Sequence, residues 1–169
     1  MDEKVTDVGL RSLAALKNLE SLKIGFTGVT DAGMKDVAAF KNLRTLDISR
    51  TYVTDAGLKE LAVLGKLESL ELYGLNVTDA GVKHLAALKS LQTLYLFNTR
   101  VTDAGLKELA PLQNLKSLYL DDNKPITDEG LKELAALKNL QALYLKGTSA
   151  TEAGVKHLQR QLPNCKIER

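Results

Sequence analysis

The chain of 169 residues has no tryptophan, one cysteine and no long apolar run. A single cysteine, Cys165, cannot form an internal disulfide and excludes a multi-cysteine metal site. No stretch approaches the about 20 apolar residues that a membrane-spanning helix requires. The 23 basic and 21 acidic residues nearly balance, which argues against the extended basic surface of a nucleic-acid-binding protein. We therefore expect neither a membrane nor a nucleic-acid partner.

The sequence also lacks recognisable catalytic motifs. It contains neither a phosphate loop of the G-x-x-x-x-G-K-[ST] type nor an H-E-x-x-H pair. The two histidines, His84 and His157, each follow a lysine on a predicted helix, where we expect them to be solvated. We predict no catalytic residue, no metal and no cofactor. Met1–Lys4 show no cationic start leading into an apolar segment, so we expect no secretory signal, which favours the cytoplasm.

What the chain does contain is a repeat. The segment Val101-Thr102-Asp103-Ala104-Gly105-Leu106-Lys107-Glu108-Leu109 recurs unchanged from position 53 and, with changes, from positions 5, 29, 77, 126 and 150. Seven copies spaced by 24 residues, and once by 25, predict a repeat solenoid.

Each repeat has two halves with different periods. Around Leu46 and Ile48 apolar and polar residues alternate, as in a short half-buried strand. From Thr54 onward Leu58 and Leu61 follow helical spacing. The strand half, Leu-x-x-Leu-x-Leu-x-x-Thr/Asn, is the signature of leucine-rich repeats, and the chain resembles that family over essentially its whole length.

The segment V-T-D-A-G-L-K-E-L-A is similar to bacterial, planctomycete-type tandem leucine-rich repeats. It also resembles the cysteine-containing repeats of F-box proteins, although those cysteines are missing here. The resemblance implies an α/β solenoid with a parallel sheet on the concave face and short helices on the convex face. We expect one domain, 1–169, of about seven repeats, the last truncated to a terminal strand.

Four features of the repeat carry structural expectations. A threonine column is expected to tie adjacent loops together; it consists of Thr27, Thr51, Thr99 and Thr148, with Asn123 at the corresponding place in its repeat. An extra residue is expected to bulge the loop Asp121–Pro125. Thr54 or Asp55 is expected to cap the first turn of its helix. Helix capping also explains the recurring aspartates better than calcium binding, because only one occurs per repeat. Gly57 is expected to pack closely against the neighbouring coil. Cys165 is expected to take a buried leucine position in a final strand.

One face of the predicted sheet collects the aromatic residues. The outward position of each strand forms a first row, and the residue two further along forms a second row. The first row is Lys23, Asp47, Glu71, Tyr95, Tyr119, Tyr144 and Lys166, and the second is Gly25, Ser49, Tyr73, Phe97, Asp121 and Lys146. A third row of small residues, from Ser21 to Ala142, is expected to leave the rings accessible.

We interpret this concave face as the binding site of a protein or peptide in a non-enzymatic module. We expect the aromatic contact area to come from Tyr73, Tyr95, Phe97, Tyr119 and Tyr144. Basic or hydrogen-bond-donating groups on the partner are expected to be selected by Asp47, Glu71 and Asp121, and one edge of the site is expected to be set by Lys146.

Other interpretations stay open. The rings can form a cross-strand ladder without a partner. The chain can be the recognition region of a larger enzyme, such as a ubiquitin ligase or kinase, or a self-assembling or engineered repeat.

Overall fold

The computed structural model describes residues 5–169, in which seven short helices alternate with seven three-residue strands. Met1–Lys4, where we expected no secretory signal, lie outside the described residues. The helices are α1 (Asp7–Ser12), α2 (Asp31–Val37), α3 (Asp55–Leu61), α4 (Asp79–Leu85), α5 (Asp103–Glu108), α6 (Asp128–Leu134) and α7 (Glu152–Gln161). The strands are β1 (Ser21–Lys23), β2 (Thr45–Asp47), β3 (Ser69–Glu71), β4 (Thr93–Tyr95), β5 (Ser117–Tyr119), β6 (Ala142–Tyr144) and β7 (Lys166–Glu168).

The strands form one parallel sheet in the order β1 to β7, so each coil pairs only with its neighbours in sequence. The middle residue of β1 to β6 is a buried leucine that faces the helices, as the alternating pattern predicts. On the other side of the core, Leu58 and Leu61 of α3 are also fully buried. The result is the predicted α/β leucine-rich repeat solenoid, with one apolar core running through all coils.

A carboxylate bridge joins the start of each of the helices α1 to α6 to the next coil. In the third coil the Oδ1 atom of Asp31 accepts the backbone N–H of Thr54 at 2.7 Å, and its Oδ2 atom accepts the Thr54 hydroxyl at 2.7 Å. The Thr54 hydroxyl oxygen then accepts the N–H of Ala56 and caps α3. The same bridge links Asp7 to Thr30, Asp55 to Thr78, Asp79 to Thr102, Asp103 to Thr127 and Asp128 to Thr151. Of the two cap candidates, Thr54 and Asp55, the threonine is the cap. The interpretation of the recurring aspartates as helix caps was wrong, because their carboxylates bond to the next coil.

The recurring glycine makes room for this bridge. A Cβ atom on Gly57 would lie 2.5 Å from Oδ1 of Asp31 and 2.7 Å from Cγ1 of Val53, closer than real contacts allow. The N–H of Gly57 also donates to Oδ1 of Asp31 at 2.9 Å. The predicted close packing of Gly57 against the neighbouring coil is therefore confirmed, and the neighbour is the carboxylate itself.

The threonine column behaves differently from the prediction. The hydroxyls of Thr27, Thr51, Thr99 and Thr148 each donate to the carbonyl three residues earlier in their own loop. The buried Asn123 does connect coils, because its Nδ2 donates to the Leu96 carbonyl at 2.8 Å and its Oδ1 accepts from Thr99. Within this column of the described residues, the link between coils is therefore the contact of Asn123 with Leu96 and Thr99, and the other threonine hydroxyls bond inside their own loops.

The C-terminal half contains one extra residue between two neighbouring strands. The offset between paired strand residues rises from 24 to 25 between β5 and β6, as Tyr119 pairs with Tyr144, so the bulge predicted near Pro125 leaves the register intact.

The terminal strand was placed wrongly. Ile167 pairs with Leu143, and Lys166 pairs with Ala142. Glu168, rather than Lys166, therefore completes the first row beside Tyr144. Cys165 is buried but precedes β7, and burial raises the pKa of its thiol to about 11, which suits a packing residue.

The glycine contact predicts that a better helix former will weaken the fold. We expect Gly57→Ala to lower the free energy of unfolding by about 1–3 kcal/mol, because the new methyl displaces the Asp31 carboxylate. Urea unfolding measures the change. Gly65→Ala is the matched control, since a methyl group added at Gly65, in the loop after α3, would have no other atom within 4 Å. Equal effects of the two variants would contradict the role given to Gly57.

The carboxylate bridge also predicts how the carboxyl group of Asp128 titrates. Hydrogen bonds from the Thr151 hydroxyl and backbone N–H lower the pKa of Asp128 below 3.8. We expect Thr151→Val to raise that pKa, as followed by NMR, whereas Thr148→Val leaves it unchanged. Because the pKa is lowered by folding, the bridge stabilises the fold at neutral pH, and this contribution is lost as pH falls through the folded pKa. A Thr151→Val variant with an unaltered Asp128 titration would refute the bridge.

Candidate functional site

The structure brings the predicted site residues together on the sheet face that points away from the helices. Strand pairing aligns Asp47, Glu71, Tyr95, Tyr119 and Tyr144 as neighbours in the first row. In the second row the ring of Tyr73 stacks on that of Phe97, with centroids 4.6 Å apart and planes 10° apart. We call these two rows the sheet face.

The three tyrosines of the first row form a continuous stack. Ring centroids lie 4.2 Å apart between Tyr95 and Tyr119 and 4.3 Å apart between Tyr119 and Tyr144, with nearly parallel planes. All three side chains are half-buried. Because neighbouring rings cover each other's faces, a ligand meets mainly their edges and hydroxyl groups. The stack is thus a rigid strip with an apolar body and polar tips.

Two phenol hydroxyls of this stack, those of Tyr119 and Tyr144, have a raised pKa and remain protonated at neutral pH. Partial burial, together with the neighbouring hydroxyl of Tyr95, raises the pKa of Tyr119 above 10. The adjacent hydroxyl of Tyr119 likewise raises the pKa of Tyr144. Tyr119 and Tyr144 therefore offer neutral hydroxyl donors and acceptors to a partner.

A hollow of about 340 Å³ opens where the aromatic rows meet charged residues. It is lined by Tyr95, Phe97, Tyr119, Asp121, Asp122 and Lys146. The Oδ1 atom of Asp121 accepts the backbone N–H of Lys146 at 2.9 Å, which fixes that carboxylate at the rim. The hollow thus combines ring edges with charges of both signs.

Asp47 and Glu71 form an acidic pair at the other end of the aromatic strip. They occupy paired positions on β2 and β3. Partial burial and then the charge of Asp47 raise the pKa of Glu71 above 4.5, and Lys23 opposes this rise. A cationic or hydrogen-bond-donating group placed here would relieve the repulsion between the two carboxylates.

Two residues of this surface were not found from the sequence. Phe26 is 50% exposed and its ring centroid lies 6.5 Å from that of Tyr73. Arg50 places its guanidinium over the Tyr73 ring and donates to the Tyr73 hydroxyl. Both follow the strand in a left-handed turn position that Gly74, Asn98, Asp122 and Gly147 occupy in other coils. Gly74 and Gly147 could have indicated this turn from the sequence, because glycine adopts a positive φ without steric cost.

The comparisons with known proteins agree with this architecture. Models of leucine-rich repeats match residues 89–133, as two copies, and residues 15–38 and 41–62. Together these matches cover more than half of the chain. The chain belongs to the leucine-rich repeat proteins.

Solved structures of bacterial leucine-rich repeat proteins are similar over nearly the whole chain. Internalin C2 of Listeria monocytogenes is 27% identical, with a TM-score of 0.75, over 98% of this chain and 76% of its own. A leucine-rich repeat protein of Leptospira interrogans is 27% identical, with a TM-score of 0.73 and 93% of this chain covered. A second Listeria monocytogenes internalin, 21% identical with a TM-score of 0.66 over 92% of this chain, shows the fold alone.

The chain spans 38% of the Leptospira protein and 49% of the second internalin. No curated protein matches it.

Other kinds of site are not evident in residues 5–169. No group of three or more histidine, cysteine, aspartate or glutamate residues there is arranged to hold a metal ion. None of the helices in this range has the length and apolar character to cross a membrane. His157 is exposed and contacts Gln161, while His84 is half-buried.

The acidic pair predicts a coupled titration. We expect Asp47→Asn to lower the pKa of Glu71, because it removes a neighbouring negative charge and leaves burial opposed by the charge of Lys23. Side-chain carboxyl NMR measures the titration. Asp122→Asn removes the same charge elsewhere on the surface and is expected to leave Glu71 unchanged. A Glu71 titration that responds equally to both changes would contradict the pairing.

Proposed function

We propose that this chain is a non-enzymatic binding module whose sheet face holds a peptide or protein segment. The observation that carries the proposal is the pair of aligned aromatic stacks, half-exposed on one face beside a charged hollow. Family membership supports it at the level of a protein-interaction module, which is the usual role of leucine-rich repeat proteins.

The physical basis is the low cost of ordering this surface. Tyrosine has two side-chain torsions, and stacking has already restricted them before a partner arrives. Exposed aromatic area that is rigid in advance loses little entropy on binding, so most of its burial contributes to affinity. Tyrosine is accordingly enriched among the residues that dominate binding energies.

Charged neighbours would select the partner. In this proposal Asp47, Glu71 and Asp121 favour basic or hydrogen-bond-donating groups, and Lys146 defines one edge. The face carries acidic residues, Asp47, Glu71 and Asp121, together with Lys23 and Lys146, and its two rows form no extended basic surface, which favours a protein over a nucleic acid. A segment that follows the rows from Tyr73 to Tyr144 would cross several coils.

The alternative of a partnerless ladder accounts for the stacking but predicts no ligand. If the chain is the recognition region of a larger enzyme, the sheet face would bind the substrate while the catalytic domain lies elsewhere in the protein. Selection of a ligand by the isolated chain would exclude the partnerless ladder. The same result is expected for a binding module and for the recognition region of a larger enzyme.

A random-peptide display selection on the wild-type chain would supply ligands, and their affinity can then be compared between the wild type and a Tyr119→Ala variant. We expect Tyr119→Ala to cost about 2 kcal/mol, or roughly 30-fold in affinity, because it removes the central ring of the stack. Fluorescence anisotropy with a selected peptide measures the change.

Tyr52→Ala is the matched control, since Tyr52 is 53% exposed and lies outside both rows. Thermal melts of both variants exclude unfolding as the cause. Unchanged affinity in Tyr119→Ala, or an equal loss in Tyr52→Ala, would remove the aromatic strip from the account.

A further inference from the structure

Arg50 is held in an unusual position at the edge of the sheet face. It follows β2 with φ at +49°, and Phe26 has φ at +61° at the same point of the preceding coil. Left-handed conformations are uncommon for residues other than glycine, asparagine and aspartate. Two such residues side by side, one of them aromatic, are maintained only where surrounding contacts determine them.

Gly74 provides the space in which the Arg50 side chain lies. A Cβ atom on Gly74 would be 3.0 Å from Cγ and 3.4 Å from Nε of Arg50. The aliphatic stem of Arg50 therefore crosses the next coil directly above this glycine. This path carries the guanidinium onto the ring of Tyr73.

Two aromatic rings and one hydroxyl then orient the guanidinium. Its Cζ atom lies 4.8 Å from the Tyr73 ring centroid and 5.9 Å from that of Phe26. One Nη2 hydrogen is donated to the Tyr73 hydroxyl at 2.6 Å. Tyr73 is itself fixed by stacking on Phe97. The cation is thus positioned by contacts that do not neutralise its charge.

Most of the hydrogen-bonding capacity of Arg50 is unused. A guanidinium has five N–H donors, and in the described part of the chain only the Tyr73 hydroxyl accepts one of them. No carboxylate of residues 5–169 lies within ion-pair distance of it, whereas Arg11 and Arg44 pair with Asp36 and Glu68. The Asp47 carboxylate, three residues before Arg50 in sequence, accepts the backbone N–H of Ser49.

We propose that Arg50 is a preorganised carboxylate-binding subsite of the sheet face. It takes an acidic side chain or the C-terminal carboxylate of a bound peptide through paired N–H donors, and the exposed Phe26 ring packs against the neighbouring ligand residue. The inference rests on the proposed peptide-binding function and adds one requirement to it, a carboxylate on the partner at this end of the face.

Three small probes test the subsite without a known partner. They are N-acetyl-Phe-Glu amide, its Gln analogue, and N-acetyl-Gln-Phe with a free C-terminal carboxylate. We expect the Glu probe to shift the NMR signal of the Arg50 Nε–H and to bind about tenfold more tightly than the Gln analogue. The third probe shows whether a terminal carboxylate serves as well as a side chain. No preference for either carboxylate probe over the Gln analogue would overturn the proposal.

Two matched variants test whether Arg50 is the group that binds the carboxylate of the probe. In Arg50→Gln the Glu probe, followed through the Phe26 ring signals, is expected to lose its preference over the Gln analogue. Arg100→Gln removes the same charge from another exposed arginine and should retain that preference. If Arg50→Gln also retains it, the carboxylate binds elsewhere and the assignment is wrong.

The probes separate this inference from the broader proposal. Display-selected peptides that depend on Tyr119 but bind Arg50→Gln as tightly as wild type would leave the binding module intact and exclude the subsite. Carboxylate preference at Arg50 with no dependence of selected peptides on Tyr119 would establish the subsite and refute the aromatic strip.

Discussion

The bridge from each helix-start aspartate to the next coil is the constraint on which the rest of this structure depends. One carboxylate accepts both the backbone N–H and the hydroxyl of a threonine, as Asp31 does from Thr54, and that threonine caps the following helix. A glycine two residues into the helix leaves the space that the carboxylate needs. Because the same three groups recur in successive coils, the helices are fixed at a constant relation to one another, which complements the hydrogen bonds of the sheet on the opposite side of the core.

Constant spacing is what allows side chains of different coils to act as one surface. Rings can stack across strands only if the register stays in phase. It does so even across β5 and β6, where the extra residue is absorbed in the loop and Tyr119 still stacks on Tyr144 at 4.3 Å. The sheet face is thus a product of the scaffold's regularity, and its chemistry lies in positions where the repeats differ, such as Glu71, Tyr95 and Asp121.

Much of this arrangement was predictable from the sequence, because period and alternation decide which residues share a face. The fold, the buried leucines and the aromatic rows followed from those patterns. The bridge did not, since adjacent threonine and aspartate suggest a cap within one helix, and only the distance between coils shows where the carboxylate points. The register of β7 was missed because Cys165 resembles a core strand residue but occupies the position before the strand. Phe26 and Arg50 were missed because their backbone conformation is one that their side chains rarely adopt.

Amide chemical-shift mapping of the labelled chain with its tightest display-selected peptide tests the central claim most directly. If the sheet face is the binding surface, the largest changes will fall in residues 71–73, 95–97, 119–122 and 144–146, and the helices will change little. Changes concentrated in α2 to α6 would show that the ligand binds the opposite surface, and the aromatic rows would then be a stabilising ladder within the scaffold.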